Sequence, residues 1–406
     1  MRWSSAALAL TGCLASPPDG IGTPTDDAAS GPELRLLGVF NRDSFTRGSA
    51  LDDLVLAAAY DERVYLVHLR AADGNLETVL QQAEADELPF EPAAVVGADI
   101  DADNSIDAVA VSPTGDLAVL AARDEGLVAF PREVLLDSGA PFGGITTIDA
   151  PDLVGEERIF LAGPEGIWMS DPLSDNDIHF DEINPRMTDV APPATFFATH
   201  DDVSTWYVGV AQGAAIDLWP LAGFDRQTGS EIIGAVSPEP PTRGYWRRLP
   251  DPQRANFFGI LAGTNQIMWA QDAFGDAEAS DLLDPGADGP LRDLTMVQQT
   301  GGYDLITASE EPNGQLGIQV MTSLDSPADA PPVPVLLSLG SSIDTGLPFW
   351  VEPLDILATP YAGKEILVFD EAGHVLCITF DAAHTELSSC GEADLTDHMP
   401  SWTGAR

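Results

Sequence analysis

Positive charge is what this chain most lacks. Of 406 residues only 18 are Lys or Arg, Lys364 is the sole lysine, and 65 are Asp or Glu, giving a formal net charge of -47. A surface so poor in cations cannot neutralise a phosphate backbone, which excludes nucleic acid as a partner. The same shortage excludes adsorption to an anionic bilayer through basic patches. Cysteine is scarce, at three residues, and no C-x-x-C spacing marks a zinc site. Long apolar runs are missing too: nothing beyond the N-terminus approaches the roughly 20 residues that a spanning helix needs. Nor is there a G-x-S-x-G, an H-E-x-x-H or a P-loop, since Lys364 is followed by Glu365. The six His residues are scattered without ligand spacing. Ser341-Ser342-Ile343-Asp344-Thr345-Gly346 holds a single D-T-G, where an aspartic protease needs two facing triplets, and it reads as a turn. His200-Asp201-Asp202 falls where an inter-strand loop is expected.

What is present is a chain that can fold. Apolar residues make up 44%, enough for a substantial core, and the length suits two or three ordinary domains or one large repeat domain. The acidity reads as a solvated surface of the kind found in exported or salt-adapted proteins, with cation binding as the sharper alternative.

The N-terminus carries an address. Arg2 is followed by a short apolar stretch, Trp3 to Leu10, and then by Leu10-Thr11-Gly12-Cys13. This resembles a bacterial lipoprotein signal peptide over residues 1–12 with its lipobox, which implies that Cys13 takes a lipid. In that family an Asp after the Cys favours the inner membrane. Leu14 stands there instead, which implies the outer membrane or the cell surface. Residues 13–33 are rich in Pro, Gly, Ser, Thr and Asp, the composition of a flexible tether. A β-rich domain is expected over 34–400, with a tail at 401–406.

One strand–turn–strand unit recurs seven times, starting at Asp52, Ile106, Glu156, Ser204, Ala255, Gly302 and Gly363, with separations of 54, 50, 48, 51, 47 and 61 residues. Each copy is two β-rich runs split by Gly, Asp, Asn or Pro, which is hairpin punctuation. A third run precedes most copies: RLLGVF at Arg35, AAVVGADI at Ala93 and PLDILAT at Pro353 are examples, while GYWRRL at Gly244 matches poorly. A fourth run follows each: ETVLQQA at Glu77, REVLLD at Arg132 and TELSSC at Thr385 are examples. Four strands per unit and seven units predict an all-β fold, a seven-bladed β-propeller of four-stranded blades. Six or eight blades, or two β-sandwiches, are the alternatives. Leu76, Val79, Leu80 and Ala83 have helical spacing, so the segment from Leu76 also reads as a helix.

Cys377 and Cys390 flank two strand-like runs around a polar turn. Pairing Phe380 with Leu387 would set the two cysteines opposite each other, and export would permit a disulfide, which contributes roughly 3 kcal/mol for so short a loop.

Gly97 to Ser112 reads GADIDADNSIDAVAVS. Asp99, Asp101, Asp103 and Asp107 crowd one turn before an alternating apolar run. The spacing resembles the calcium loop of FG-GAP/VCBS-type propellers, including those of integrin α-subunits, with Asn104 where Gly is usual. That resemblance implies Ca2+ held by Asp99, Asp101, Asp103, Asp107 and the backbone carbonyl of Ser105, in a structural role. Calcium takes six to eight oxygen ligands, and alternate positions of a tight loop aim carboxylates at one centre. Without a cation, neighbouring carboxylates repel by about 1 kcal/mol per pair at about 4 Å in water. Asn41, Asp43 and Asp52 form a stretched relative of the loop, and the segment near Asp175 a weaker one.

The expectation is an exported, lipid-anchored monomer of the bacterial cell envelope that binds a protein or glycan partner rather than catalysing a reaction. The alternatives are an outer-membrane assembly scaffold and a polysaccharide-cleaving propeller enzyme. Trp168, Trp206, Tyr207, Trp219, Tyr245, Trp246, Trp269 and Trp350 fall mostly at matching points of the repeats, where blade packing is the default.

Overall fold

Short apolar runs, each broken by a turn-forming residue, fold into antiparallel hairpins along the chain. The computed structural model describes residues 33–41, 53–72, 74–92, 94–98, 107–112, 114, 116–123, 126–129, 134–135, 144–149, 157–163, 166–170, 178–184, 195–200, 206–212, 215–220, 231–234, 241–248, 255–261, 264–270, 281–299, 302–321, 333–336, 342–354, 365–380 and 387–404. The chain divides into Met1–Glu33 and Leu34–Arg406, and every element below belongs to the second unit.

The first sheet holds β1 (Leu34–Asn41), β2 (Asp53–Tyr60), β3 (Arg63–Arg70) and β4 (Glu84–Leu88), with helix α1 (Leu76–Gln81) between the last two. The second holds β5 (Ala94–Ala98), β6 (Asp107–Val111), β7 (Leu117–Arg123) and β8 (Gly126–Ala129). A short β9 (Val134–Leu135) precedes the third, which is β10 (Gly144–Asp149), β11 (Glu157–Gly163), β12 (Gly166–Ser170) and β13 (Ile178–Asn184). The fourth is β14 (Thr195–His200), β15 (Trp206–Gln212), β16 (Ala215–Pro220) and β17 (Glu231–Gly234). The fifth is β18 (Pro241–Arg248), β19 (Ala255–Leu261), β20 (Ile267–Ala270) and β21 (Asp281–Leu283). The sixth is β22 (Leu291–Gln299), β23 (Gly302–Glu310), β24 (Leu316–Met321) and β25 (Val333–Leu336). The seventh is β26 (Phe349–Pro353), β27 (Glu365–Asp370), β28 (His374–Phe380) and β29 (Leu387–Asp394), followed by a 3-10 turn (Leu395–Asp397) and α2 (Met399–Trp402).

Within each sheet the strands lie in chain order and pair antiparallel; only β9 departs, running parallel to β13 at the edge of the third. First strands touch first strands. β1 lies against β5, β5 against β10, β10 against β14, β14 against β18, β18 against β22, β22 against β26, and β26 returns to β1.

Sheets that bury both faces need apolar residues at consecutive positions, and β2 shows it. Its Leu54, Leu56 and Ala58 face Leu367, Phe369 and Val375 of the seventh sheet, while Val55 and Ala57 face Val95, Ala110 and Leu120 of the second. The sixth sheet does the same. Ile306, Ile318 and Val320 pack with Val351, Ile366 and Val368 of the seventh, and Leu294, Leu305 and Met321 with Ile260 and Ile267 of the fifth. Burying one such side chain is worth about 1.5–3 kcal/mol.

Several sequence expectations need correction. The run from Glu77 is helical: Asn75 caps α1, its Oδ1 accepting from the Thr78 amide at 3.0 Å, and Leu76, Val79 and Leu80 are its buried face. The fourth strand comes later, at Glu84–Leu88. In the second sheet the fourth strand is β8, not REVLLD. Val134 and Leu135 of that run cross over and pair with Ile178 and His179 of the third sheet. Pro131, which has no N–H to give a ladder, separates β8 from β9 in the sequence. In the seventh sheet the first strand is Phe349–Pro353, ahead of the expected PLDILAT. Aromatic and β-branched residues form it, and Pro353 stands at its last position.

The C-terminus packs where a tail was expected to begin. Trp402 is 9% exposed, and its Nε1–H donates to the Leu80 carbonyl at 2.7 Å. Phe380 pairs with Leu387, and a disulfide joins Cys377 to Cys390. The cysteines are not directly opposite, however. The register shifts between Ile378 and Cys377, so Gly391 faces Cys377 and Cys390 is the extra residue of a bulge.

Candidate metal centre and inter-sheet polar ties

Asp107 opens β6 directly opposite Ala98, the last residue of β5. The segment 99–106 therefore joins two neighbouring antiparallel strands, with its ends held side by side. Asp99, Asp101, Asp103 and Ser105 lie outside the described residues, as does Cys13. The stretched relative of the loop occupies the same place in the first sheet: Asn41 ends β1 and pairs with Leu54 near the start of β2. Asp43 and Asp52 fall outside the described residues. Among the described residues, no group of three or more His, Cys, Asp or Glu is arranged to hold a metal.

Described polar side chains converge in three ties that escaped the sequence reading, two at the boundary of the sixth and seventh sheets and one within the sixth. In the first, Asp370 ends β27 fully buried. Its Oδ1 accepts from the His374 amide at 2.9 Å, and its Oδ2 accepts from the Asp344 amide at 2.9 Å and lies 2.8 Å from His374 Nδ1. That anchors the segment leading into β26. The D-T-G within it is a turn, with Asp344 Oδ1 accepting from the Gly346 amide at 3.0 Å. Thr345 Oγ1 donates to the Gly314 carbonyl at 3.0 Å, which links the sixth sheet to the same segment.

The second tie is Asp293 in β22, 1% exposed. Its carboxylate accepts from the Leu294 amide at 2.8 Å and, across the sheet boundary, from the Val351 amide at 2.6 Å. The third is a chain of buried side chains within the sixth sheet. Thr307 Oγ1 donates to Gln319 Oε1 at 2.9 Å, Gln319 Nε2 donates to Ser309 Oγ at 2.8 Å, and Ser309 Oγ donates to Glu311 Oε1 at 2.5 Å. Gly317 leaves the room for it: a β-carbon there would meet Ser309 Oγ and Glu311 Oε1 at 2.3 Å. No local motif announces these ties, because each depends on a partner from another strand.

Titration shifts among the described carboxylates follow their surroundings. Asp116 is held below the usual carboxylate range by hydrogen bonds from the Thr114 and Ser112 hydroxyls. Asp86 on the edge strand β4 is pushed up, first by burial and then by the neighbouring charge of Glu84. Tyr60 is raised by burial and by Asp61 beside it. Of the aromatics, Trp168 is buried in β12 and Trp350 packs against the core shared by the first and seventh sheets.

No family model and no curated protein matches this chain. Solved structures do match. BBS1N, in its crystal structure with ARL6DN, is 11% identical with a TM-score of 0.50, covering 84% of this chain and 95% of that one. Sqt1 from Saccharomyces cerevisiae is 9% identical with a TM-score of 0.51, covering 89% of this chain and 86% of that one. These are propeller-like proteins, and the fold of this chain is accordingly an all-β propeller. At such identity the likeness carries the fold alone.

Proposed function

We propose that each of the seven sheets is one blade of a seven-bladed β-propeller, exported and anchored through a lipid on Cys13, that binds a protein or glycan at the cell envelope. The cyclic contact of first strands, with β26 returning to β1, carries this reading. In a ring of this kind the loops after the first strands emerge together at one mouth, and 99–106 is one of them. Rigid blades hold such loops with little ordering cost on binding. Asp293 and Thr345 tie the sixth sheet to the seventh, which supports a scaffold for recognition rather than a reactive centre.

The donor set of the Asp99 loop suits a hard cation. Asp99, Asp101, Asp103 and Asp107 would hold calcium, with the Ser105 carbonyl, and the ion would supply neutralisation of carboxylates that otherwise repel. Calorimetry tests this half of the proposal. Chelator should lower the melting temperature of the wild type, and Asp101→Ala should remove the difference; a wild type indifferent to chelator rejects the site. Affinity capture from whole envelopes, combined with protease shaving, tests the rest. A specific protein or glycan and a membrane-bound form that loses its anchor in Cys13→Ala are expected. Recovery of a barrel-assembly complex would replace this reading with that of an assembly scaffold, and a fully soluble wild type would reject the anchor.

A further inference from the structure

Among the described residues every sheet is built from strands contiguous in the chain, and no strand is shared between the first sheet and the last. Their junction is the one place where the two ends of the unit meet. Backbone hydrogen bonding across it includes the Leu36 amide donating to the Glu371 carbonyl at 2.7 Å. Beside it, residues that follow the last strand reach back onto the first sheet. The Leu395 amide donates to the Gly373 carbonyl at 2.9 Å, and Leu395 and Met399 join Leu34, Leu76 and Leu80 in one apolar cluster. The Trp402 indole donates to the Leu80 carbonyl across 322 residues of sequence, and His398 stacks on it with ring centroids 5.6 Å apart. Helix α1, inserted into the first sheet, lies against β29, the strand from which this segment departs.

We propose that residues 395–404 are a strap that controls opening of the ring at the junction of the first and seventh sheets. The strap holds both sides of that junction: its 3-10 turn on the β27–β28 hairpin, its indole on α1. The junction of the sixth and seventh sheets is tied differently, by Asp293 of β22 and by Thr345 ahead of β26. The strap seats only when the first sheet and the β27–β28 hairpin are both in place, so its closure depends on that junction.

The test reads single amides by hydrogen exchange in the full-length protein. The Leu36 amide crosses the strapped junction. The Val351 amide, bonded to Asp293, crosses from the sixth sheet to the seventh, and the Leu291 amide, bonded to the Thr264 carbonyl at 2.8 Å, crosses from the fifth to the sixth. Trp402→Phe keeps an aromatic ring and loses the N–H; Trp402→Ala loses both. The proposal expects Leu36 exchange to accelerate about fivefold to tenfold in Trp402→Phe, the scale of one buried hydrogen bond, and more in Trp402→Ala. Val351 and Leu291 should keep their wild-type rates in Trp402→Phe. Unchanged exchange at Leu36 overturns the proposal, because the segment is then decoration on α1. Equal acceleration at all three amides overturns it as well, because the loss is then global. Should Trp402→Ala fail to fold, Trp402→Phe decides alone.

Discussion

Gly373 lets the β27–β28 hairpin rest on Leu34, the first residue of the first strand. A β-carbon at 373 would lie 2.3 Å from Leu34 Cδ2, and the glycine sits at φ +93°, a conformation that side chains rarely adopt. Both costs fall on any replacement. Gly373→Ala should destabilise the protein by about 2–4 kcal/mol, combining backbone strain with overpacking. Denaturant unfolding reads this directly. A loss below about 1 kcal/mol would mean that the turn and Leu34 separate freely, contrary to the packing described.

The opposite sign is expected at the β2–β3 hairpin. Tyr60 pairs with Arg63, so Asp61 and Glu62 form a two-residue turn, and both have positive φ, 50° and 62°. Turns of this geometry favour Asn-Gly, whose backbones accept it without steric cost. The double substitution Asp61→Asn with Glu62→Gly should therefore stabilise the fold by about 1 kcal/mol. A lower melting temperature in the variant would show that the two acidic side chains make contacts worth more than the strain.

The rhythm of the sheets was legible because burial on both faces demands consecutive apolar residues, and DLVLAAA or EILVF at regular intervals can do little else. Helix α1 was legible for the same reason: Leu76, Val79 and Leu80 place their side chains on one side only when the chain is helical, though the expected Ala83 falls just past its end. What did not show was whatever depends on a distant partner. Val134 and Leu135 look like a fourth strand of their own unit, and only the free edge of β13 explains where they go. Asp293 reads as one more acid among 65 until the Val351 amide, 58 residues away, is placed beside it. The bulge at Cys390 was hidden because alternation counts residues without knowing where a ladder slips.

Asp86 gives a pH-dependent prediction. Burial, and then the neighbouring charge of Glu84, raise its folded-state pKa above the ordinary carboxylate value. The folded state then holds the proton to higher pH than the unfolded chain does. Its contribution to stability is fully present below the unfolded value and is lost as pH rises through the folded one. At neutral pH the charged Asp86 is a burden on β4. Asp86→Asn should raise the melting temperature at pH 7 and leave it unchanged near pH 3, where the wild type is already neutral. A gain of equal size at both values would assign the effect to something other than charge.

The disulfide sits where the last sheet meets the core of the first. Cys377 is fully buried within the cluster that includes Leu54 and Phe369, and Cys390 packs against the same cluster from the bulge of β29. The bond therefore fixes the edge strand to its neighbour at the point where the ladder slips and hydrogen bonding is least regular. Closing a loop with a sequence separation of 13 should contribute about 3 kcal/mol, chiefly by restricting the unfolded chain. Cys390→Ser should lower stability by about that amount, and adding a phosphine reductant to the wild type should produce the same loss. Because the unfolded state bears most of the effect, refolding should slow less than unfolding accelerates only if β29 docks late. Stopped-flow measurements on the variant separate the two rates. A folding rate reduced by the whole stability difference, with unfolding untouched, would place β29 among the first strands to form rather than the last.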